Sequence, residues 1–410
     1  MTPAPGRPDV VVIGAGLAGL ACAADLTAAG RTVRLLEASD AVGGRMRTDL
    51  VGGFRLDRGF QVFNTGYPQV RSRLDTGSLD LRPFSPGFLL AGSRGRRRFA
   101  HPLRSPGQCG DLLTGRLAPR RDAAALGVLS ARDLLTPAAR LRAAPDRTTA
   151  EALRAAGISG PVVDHVLRPF LSGIFLEDGL TTSSRVFHLY WRSMLRGTLG
   201  LPADGIRAVP EQLAAALPPG VLRLETPVAA VRAGTVTLTG GQELDCGTVV
   251  VATDPATAAG LLPGLPVPEA RAVTTLYHVT DRPPLDEPTL VVDAGRQLLN
   301  SVVLSRVAPS YAPPGRHLIA TSVLGSTPDE PAVRDRLAVL YGRDTAAWDL
   351  LATYRIPYAL PAMPAPHPLT RTTRYAPGLH VCGDHRATAS VQGALASGAR
   401  AAREVLAGTA

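Results

Sequence analysis

The feature that most constrains the fold of this chain is residues 10–37, where an apolar run meets a glycine-rich turn, an alanine- and leucine-rich helix and a second apolar run. The glycines have the spacing Gly14-x-Gly16-x-x-Gly19, and the second run ends on Glu37. This order predicts a strand–turn–helix–strand unit that binds a dinucleotide, because the glycines allow a tight turn, close approach to a pyrophosphate and close helix packing. Free N–H groups at the helix start would face the phosphates, and Glu37 would accept hydrogen bonds from a ribose.

The composition narrows the chemistry further. The 410 residues are 45% hydrophobic, which is enough for a large core and more than one domain. All 44 basic residues are arginine, so no lysine can form a Schiff base, act as a base or hold a catalytic water. The formal net charge is +10, but the arginines are mostly scattered, and an aromatic content of 5% argues against a base-stacking platform. We therefore predict no nucleic-acid partner.

One dense basic run, Arg94 to Arg98, lies between residues typical of a hairpin. Most charge runs are solvated turns. The alternative is contact with a phosphate-bearing ligand or an anionic membrane surface, to which the leucine-rich helices of residues 107–160 would contribute. The sequence leaves this choice open.

Cysteine and histidine spacing predicts neither a disulfide framework nor a metal site. The four cysteines form no CxxC pair, and the eight histidines form no HxxxH or HExxH pattern. Cys22 and Cys246 are expected to be buried thiols of a reducing compartment. Residues 10–29 carry no signal-peptide cleavage pattern, and no run of 18 apolar residues predicts a membrane span. The expected location is cytoplasmic, with peripheral membrane contact left open.

Between the chain ends the sequence predicts an α+β region. Residues 107–160 form short helices broken at Pro119, Pro137 and Pro145, and residues 161–200 form another helical stretch. That stretch contains an aromatic and methionine cluster, either core or substrate-pocket wall: Phe187, Tyr190, Trp191 and Met194. Further predicted elements are a hairpin at 88–91 and 98–100, a helix opening near Val209, strands at 221–224, 228–231, 235–238, 249–253, 273–279, 289–293, 298–305 and 317–323, a helix at 329–342 and a proline-rich stretch at 357–368.

The last segment of the sequence has the same predicted order of strand, turn and helix as the first. A strand leads to Gly383-Asp384, and Ser390 to Gly398 follow as a helix that starts at a glycine-containing turn. A second helix N-terminus therefore offers free N–H groups to an anion. It lies at the opposite end of the chain, yet both termini can serve one ligand.

With both ends considered, the chain resembles the flavin amine oxidase superfamily, which includes monoamine oxidases, protoporphyrinogen oxidases and phytoene-desaturase-like enzymes. The resemblance rests on the glycine turn with Glu37, on Gly43-Gly44-Arg45 and on Gly383-Asp384. Residues 58–63 and 169–175 read closer to the phytoene-desaturase-like and protoporphyrinogen-oxidase-like branch. The implied fold is α/β. A discontinuous, Rossmann-like FAD-binding domain takes residues 1–75, 205–260 and 366–410, and an inserted α+β substrate domain takes residues 76–204 and 261–365.

The resemblance also implies the cofactor contacts. Around the pyrophosphate and adenosine these are Gly14, Ala15, Gly16, Leu17, Gly19, Glu37, Gly44, Arg45 and Val228, whose backbone would meet adenine. Around the isoalloxazine and ribityl chain they are Gly59, Phe60, Gln61, Gly383, Asp384, Val391, Gln392 and Ala394. N–H groups at the start of the last helix would stabilise charge on the reduced ring. No cysteine lies where a covalent flavin link is expected, so FAD is predicted to bind noncovalently.

In function, the resemblance implies an FAD-dependent oxidoreductase, either a dehydrogenase/desaturase or an oxidase, in which flavin N5 takes a hydride from an apolar small molecule. Candidate catalytic residues are His385, Arg386 and Tyr358, with Tyr67 and His278 weaker; for His385 a packing role at the flavin edge is the alternative. Many amine oxidases of this superfamily place a lysine near the flavin, so its absence here argues against amine oxidation. The rival hypotheses are a non-redox isomerase or mutase and a catalytically inactive flavin-binding protein. The electron acceptor, whether O2, a quinone or another compound, is left open.

Overall fold

The structure is a computed structural model that describes residues 6–102 and 104–408. Within them the strands, β1 to β21 in chain order, are Val10–Ile13, Val33–Leu36, Thr48–Val51, Phe54–Asp57, Phe63–Asn64, Leu81–Pro83, Gly87–Gly92, Gly95–Ala100, Leu199–Pro202, Leu222–Arg223, Val228–Arg232, Thr235–Leu238, Glu243–Asp245, Thr248–Val251, Ala270–Thr280, Leu290–Asp293, Asn300–Val303, His317–Leu324, Asp349–Pro361, Arg374–Ala376 and Leu379–Val381. The α-helices, α1 to α14, are Leu17–Ala28, Pro68–Arg73, Gly110–Leu113, Arg120–Leu135, Ala138–Ala143, Thr149–Ala155, Gly160–Val162, Arg168–Phe175, Ser184–Arg196, Ala208–Ala215, Pro255–Leu261, Leu304–Val307, Glu330–Tyr341 and Val391–Ala407. A π-helical turn, Val163–Leu167, joins α7 to α8, and 3-10 turns lie at Pro106–Gln108, Pro309–Tyr311 and Asp384–Arg386.

The nucleotide-binding pattern folds into a six-stranded sheet with the order β10-β2-β1-β14-β21-β20. Its pairings are parallel except the last. Strands β1 and β14 are buried along their whole length, as expected for parallel strands covered on both faces. Val10 and Val12 pack with α1 and α14, whereas Val11 and Ile13 pack with α11 and the β11–β12–β13 sheet. Both ends of the chain and a middle segment thus build one sheet, and the predicted α/β class is confirmed.

A second, seven-stranded sheet has the order β19-β15-β18-β17-β16-β7-β8. One face packs on α13, for example through Leu276 and Ile319 against Leu337. The other face packs toward the helical region and the 54–60 segment, through side chains such as Tyr277 and Phe88. The predicted hairpin of β7 and β8 is present, with Phe88 opposite Phe99.

The long edge strand β19 was missed by the sequence analysis, which predicts only a proline-rich stretch from residue 357. Pro357 and Pro361 fit into it because the outer side of an edge strand needs no N–H donors. This correction matters for function, since residues 356–360 of β19 run beside Gly59 and Arg45.

The helical region agrees with the predicted breaks. Pro119 and Pro137 lie immediately before α4 and α5, and Pro145 lies before α6. The aromatic cluster belongs to the core that these helices share. Within it Trp191 Nε1 donates to Ser130 Oγ at 3.0 Å, and Tyr190 donates to the Ala389 carbonyl at 2.8 Å.

Candidate active site

The three glycines of the β1–α1 turn have distinct geometric roles. Gly14 has a φ of +98°, and a Cβ there would meet the Ala252 carbonyl oxygen at 3.0 Å. A Cβ on Gly19 would lie 1.9 Å from the Gly14 carbonyl oxygen, so only glycine lets α1 pack this closely. At Gly16 the Cβ position has no described atom within 4 Å. The turn is closed toward the protein and open at Gly16, which is what a phosphate cradle requires.

The Gly43-Gly44-Arg45 loop lies against this turn. The Gly43 N–H donates to the Ala15 carbonyl at 2.9 Å, and the Cβ position of Gly44 is 3.6 Å from the Gly16 Cα. Gly44 has a φ of +58° and is exposed. Two glycine loops therefore face each other with bare backbone on both sides.

Glu37 is buried at the end of β2, and its carboxylate is already engaged by the backbone. Its Oε2 accepts from the Ala15 N–H at 2.7 Å and its Oε1 from the Ser39 N–H at 2.9 Å. The N–H predicted to serve a phosphate at Ala15 is thus used to fix Glu37. Each carboxylate oxygen has a second lone pair for a ribose hydroxyl. Leu17, the first residue of α1, is buried beneath the turn.

The segment around Val228 is tied to the same strand end. The N–H groups of Glu225 and Thr226 donate to the carbonyls of Ser39 and Glu37, at 3.0 and 2.8 Å. Val228 lies two residues after Thr226, is half-buried, and lies at an irregularity in the register of β11 with β12. Glu37 and Val228 therefore lie on neighbouring segments.

Arg45 connects the two ends of the chain. Its Nη2 donates to Asp384 Oδ2 at 2.6 Å, and its Nη1 donates to the Ala359 carbonyl of β19 at 2.6 Å. Gln61 Nε2 donates to the Arg45 carbonyl at 2.8 Å. Burial lowers the pKa of Arg45, but the Asp384 carboxylate more than offsets this, so the net shift is upward and the cation is retained.

His385 is buried beside this ion pair, yet neither ring nitrogen has a hydrogen-bond partner among residues 6–102 and 104–408. The ring packs on Gly383, whose φ of +149° leaves its Cα bare; a Cβ there would lie 2.5 Å from the imidazole. Burial lowers the pKa of His385 to about 4, with Asp384 opposing and neighbouring arginines adding to the shift. The imidazole is therefore neutral at physiological pH, and its two nitrogens can each form a hydrogen bond with a bound group.

The other two catalytic candidates differ in position. Tyr358 is half-buried on β19 and donates to the Pro268 carbonyl at 2.9 Å; burial and then Asp384 raise its pKa. Arg386 instead donates to the Thr372 carbonyl at 2.7 Å, in a cluster with Arg371 and Arg400. The structure thus brings His385 and Tyr358 near Arg45 and Asp384, whereas the Arg386 guanidinium bonds to the 372 loop.

The segment Gly59-Phe60-Gln61 lies against β19 and β15. A Cβ on Gly59, whose φ is +87°, would lie 2.3 Å from Ile356 Cδ1. The Phe60 N–H donates to Thr275 Oγ1 at 3.2 Å, and the Phe60 ring meets Phe84 edge-on at 6.2 Å. The sequence analysis missed Thr275 and Ile356, because only the pairing of β15 with β19 brings them here.

The start of α14 is well formed. Ser390 caps it by accepting from the Gly393 N–H at 3.1 Å, and a Cβ on Gly393 would lie 1.8 Å from the Thr388 carbonyl oxygen. Gln392 Oε1 accepts from the Gln69 N–H at 2.9 Å. The N–H groups of Val391 and Gln392 belong to the first turn, which a helix cannot satisfy internally. Ala394 N–H instead donates to the Ser390 carbonyl.

The two weaker candidates lie at different depths. Tyr67 is half-buried near Asn64, and burial raises its pKa. His278 lies on the far side of the seven-stranded sheet, where its Nε2 is 3.0 Å from Glu330 Oε1 beneath α13. The contact with Glu330 fits a structural role for His278.

Comparison with known proteins agrees with this geometry. The family model for flavin containing amine oxidoreductases matches residues 17–406. The chain belongs to the flavin-containing amine oxidoreductase family. Membership of this family implies FAD as the cofactor.

Individual relatives in this family match only short stretches. Putrescine oxidase of Kocuria rosea is 46% identical over 72 residues, and phytoene dehydrogenase of Streptomyces griseus is 56% identical over 50 residues. These stretches cover 18% and 12% of this chain and only 15% and 10% of the two relatives. An oxidoreductase structure from Methanosarcina mazei aligns over 97% of this chain and 99% of its own, with a TM-score of 0.73 at 16% identity. That likeness supports the fold alone.

The residues present fit the FAD of this family. The two facing glycine loops give a bare cradle, Gly16 and Gly44 leave it open, and both nitrogens of the buried His385 lack a partner among the described residues. In the described part of the chain, no group of three or more His, Cys, Asp or Glu could hold a metal ion, and no helix is long and apolar enough to cross a membrane. All four cysteines are free and buried.

Proposed function

We propose that this family member dehydrogenates an apolar small molecule, with FAD held noncovalently. The pyrophosphate would lie between Gly16 and Gly44, the adenosine beside Glu37 and Val228, and the flavin end beside Asp384 and the start of α14. Bound FAD supplies a hydride acceptor at N5. We also propose that residues 1–75, 205–260 and 366–410 form the FAD-binding domain. Residues 76–204 and 261–365 would form the inserted substrate domain.

The observation that carries the substrate class is the apolar wall opposite Gly59 and Phe60. Ile356 contacts Gly59, and Leu360, four residues further along β19 on the same side, packs with the aliphatic and aromatic cluster of α8 and α9. Phe60 and Phe84 extend the wall. Such surfaces bind a substrate by excluding water rather than by pairing charges.

The polar groups at this wall suit positioning rather than proton abstraction. His385 is neutral, and the Tyr358 phenol has a raised pKa, so at neutral pH neither carries a charge. Arg45 stays cationic and fixes Asp384 and the Ala359 carbonyl in place. With no lysine in the chain, the protein supplies shape, a dry environment and hydrogen bonds, which suits removal of a hydride from a carbon skeleton.

Anaerobic flavin reduction tests this proposal. The holoprotein is mixed with a carotenoid-like polyene, a porphyrinogen and an amine, and flavin absorbance is followed. Rapid bleaching by the polyene or the porphyrinogen, with recovery of a product richer in double bonds, is the expected result. Bleaching only by the amine would overturn the substrate class. Turnover without bleaching would favour an isomerase or mutase, and no response even to a chemical reductant would indicate an inactive flavin-binding protein.

We also propose that any membrane contact of this protein is peripheral. Two arginines of the 94–98 hairpin are already engaged within the fold, because Arg98 pairs with Glu287 at 2.6 Å and Arg96 donates to the Leu340 carbonyl at 2.9 Å. Fewer arginines of the hairpin can therefore contact a membrane than the sequence suggests. The surface that would meet a membrane must therefore include more than this hairpin.

A further inference from the structure

The outer face of α4 combines apolar side chains with arginine. Val128 and Leu135 have 72% and 79% of their surface exposed, and Leu113 of the neighbouring α3 has 67%; no other large hydrophobic side chain in the described residues is as exposed. Val128 and Leu135 are seven positions apart, hence two turns apart on one side of the helix. Ala124 and Ala131 are also exposed and lie next to Leu135 on the wheel, within about 60° of Val128.

Arginines border this stripe on both sides. At 100° per residue Arg120 lies on one side, and Arg121 and Arg132 lie on the other; all three are exposed. Residues 110–143 contain six arginines and three acids, Asp111, Asp122 and Asp133. The face therefore carries a positive charge around an apolar centre.

Each of the three aspartates is engaged by a partner in the fold. Asp133 is fully buried, with Oδ2 2.7 Å from His188 Nδ1, and Asp122 is buried and accepts from the Ser159 N–H. Asp111 accepts from the Arg98 N–H at 2.7 Å. Arg121 and Arg132 lie near Asp122 and Asp133, at 3.6 and 2.8 Å, yet their side chains remain 81% and 48% exposed. No acidic side chain of α4 thus reaches the outer face.

The basic hairpin adjoins the same region. Besides the Arg98–Asp111 contact, Arg97 Nη1 donates to the Arg116 carbonyl at 3.4 Å. The two elements that the sequence left open as membrane contacts, the hairpin and the helices after residue 107, are therefore neighbours in the fold.

We propose that the outer face of α4, with Leu113 of α3, is a docking surface for an anionic phospholipid bilayer. Apolar side chains flanked by arginine match the boundary between acyl chains and anionic headgroups. A second copy of the chain is a poorer fit, because a twofold contact would bring like-charged arginines together. The inference refines the proposed peripheral contact and is independent of the proposed reaction.

Vesicle sedimentation of the full-length protein tests the surface without any activity measurement. We expect binding to phosphatidylcholine vesicles that contain phosphatidylglycerol, weak binding to phosphatidylcholine alone, and release by high salt. The Val128→Glu/Leu135→Glu variant should lower the partition coefficient at least about tenfold, and Arg120→Gln about fivefold. Leu50→Glu, at a 61% exposed leucine on β3, is the matched control and should bind like wild type.

Two results would overturn the proposal: no binding to the phosphatidylglycerol vesicles at low salt, or equal losses in Leu50→Glu and the α4 variant. A dimer in sedimentation velocity that Val128→Glu/Leu135→Glu dissociates would show instead that the face pairs two copies. Flavin reduction in solution is measured independently of vesicle binding. A negative result for the membrane surface would therefore not contradict the proposed reaction.

Discussion

Arg45 and Asp384, near opposite ends of the chain, form an ion pair of 2.6 Å that joins the glycine loop after β2 to the turn before α14. The Asp384 carboxylate is buried, and the Arg45 side chain is 38% exposed. The pair also reaches β19 through the Ala359 carbonyl. One side chain thus connects the two parts of the proposed cofactor site with a strand of the proposed substrate region.

Loss of this connection is expected to cost stability even without cofactor. Arg45→Gln should lower the free energy of unfolding of the apoprotein by about 1 kcal/mol, because Asp384 keeps a buried charge without its partner, while the partial exposure of Arg45 limits the effect. Urea denaturation measures it. Arg82→Gln, which breaks the exposed Arg82–Asp80 pair of the same 2.6 Å length, is the control and should change stability by less than about 0.5 kcal/mol. Equal effects in the two variants would contradict a connecting role for Arg45.

Gly16→Ala separates cofactor binding from folding. Since no described atom lies within 4 Å of the added Cβ, the apoprotein should keep the wild-type melting temperature. A pyrophosphate close to the backbone would meet the methyl group, so the dissociation constant for FAD should rise at least about tenfold. Titration of apoprotein with FAD, followed by flavin fluorescence, gives the constant. Gly260→Ala in α11, which is equally free of close contacts, should leave FAD affinity unchanged. Wild-type affinity in Gly16→Ala would place the pyrophosphate elsewhere.

Local patterns predict the elements around this cradle because each constraint lies within a few residues. The strand–glycine–helix order, the proline breaks before α4 and α5, and the β7–β8 hairpin all depend on neighbours in sequence. The sequence does not predict which strands pair when they lie far apart along the chain. Strand β19 has no alternating pattern and contains prolines, so only its edge position explains it.

The same limit applies to the site. Gly16, Gly44 and Glu37 follow from a motif, and the structure places the loops that carry them side by side. Thr275, Ile356 and the Ala359 carbonyl carry no motif and reach the site through the register of β15 with β19. For Arg386, closeness in sequence is a poor guide to position. Its place two residues after Asp384 suggests a role beside the flavin, whereas its guanidinium donates to the Thr372 carbonyl.

His385 makes the apoprotein sensitive to acid. Its folded pKa of about 4 lies below the ordinary 6.5, so the unfolded chain binds the proton more readily. Stability from the neutral ring is complete above pH 6.5 and is lost as the pH falls toward 4, by at most about 3 kcal/mol. Urea denaturation at pH 7 and pH 5 should show a smaller acid loss for His385→Gln than for wild type. Equal losses would mean that the imidazole is solvated.

If FAD forms hydrogen bonds with the ring nitrogens of His385, the His385→Gln variant should also show a shifted flavin spectrum and weaker FAD binding. Wild-type spectrum and affinity in His385→Gln would instead support a packing role. Wild type at matched pH is the reference for both measurements.

Asp57 has the opposite pH dependence. It is buried between β4 and the start of α10, where Thr48 Oγ1 and Tyr311 donate to it at 2.6 and 3.0 Å and the Ile206 N–H donates at 3.0 Å. Burial raises its pKa from 3.8 to about 6, although these hydrogen bonds oppose the shift. The folded protein therefore binds this proton more tightly than the unfolded chain, and its contribution to stability falls as the pH rises from about 4 to 6.

Asp57→Asn removes this titration while its amide oxygen can still accept from Ile206. We expect the variant to gain stability relative to wild type as the pH rises from 4.5 to 7, by at most about 3 kcal/mol, because only the wild type must bury a charge at the higher pH. Urea denaturation at the two pH values gives the difference. Asp204→Asn, at a 71% exposed carboxylate, is the control and should show little change. A pH-independent difference between Asp57→Asn and wild type would mean that the three hydrogen bonds keep Asp57 ionised throughout, and that burial does not govern its protonation.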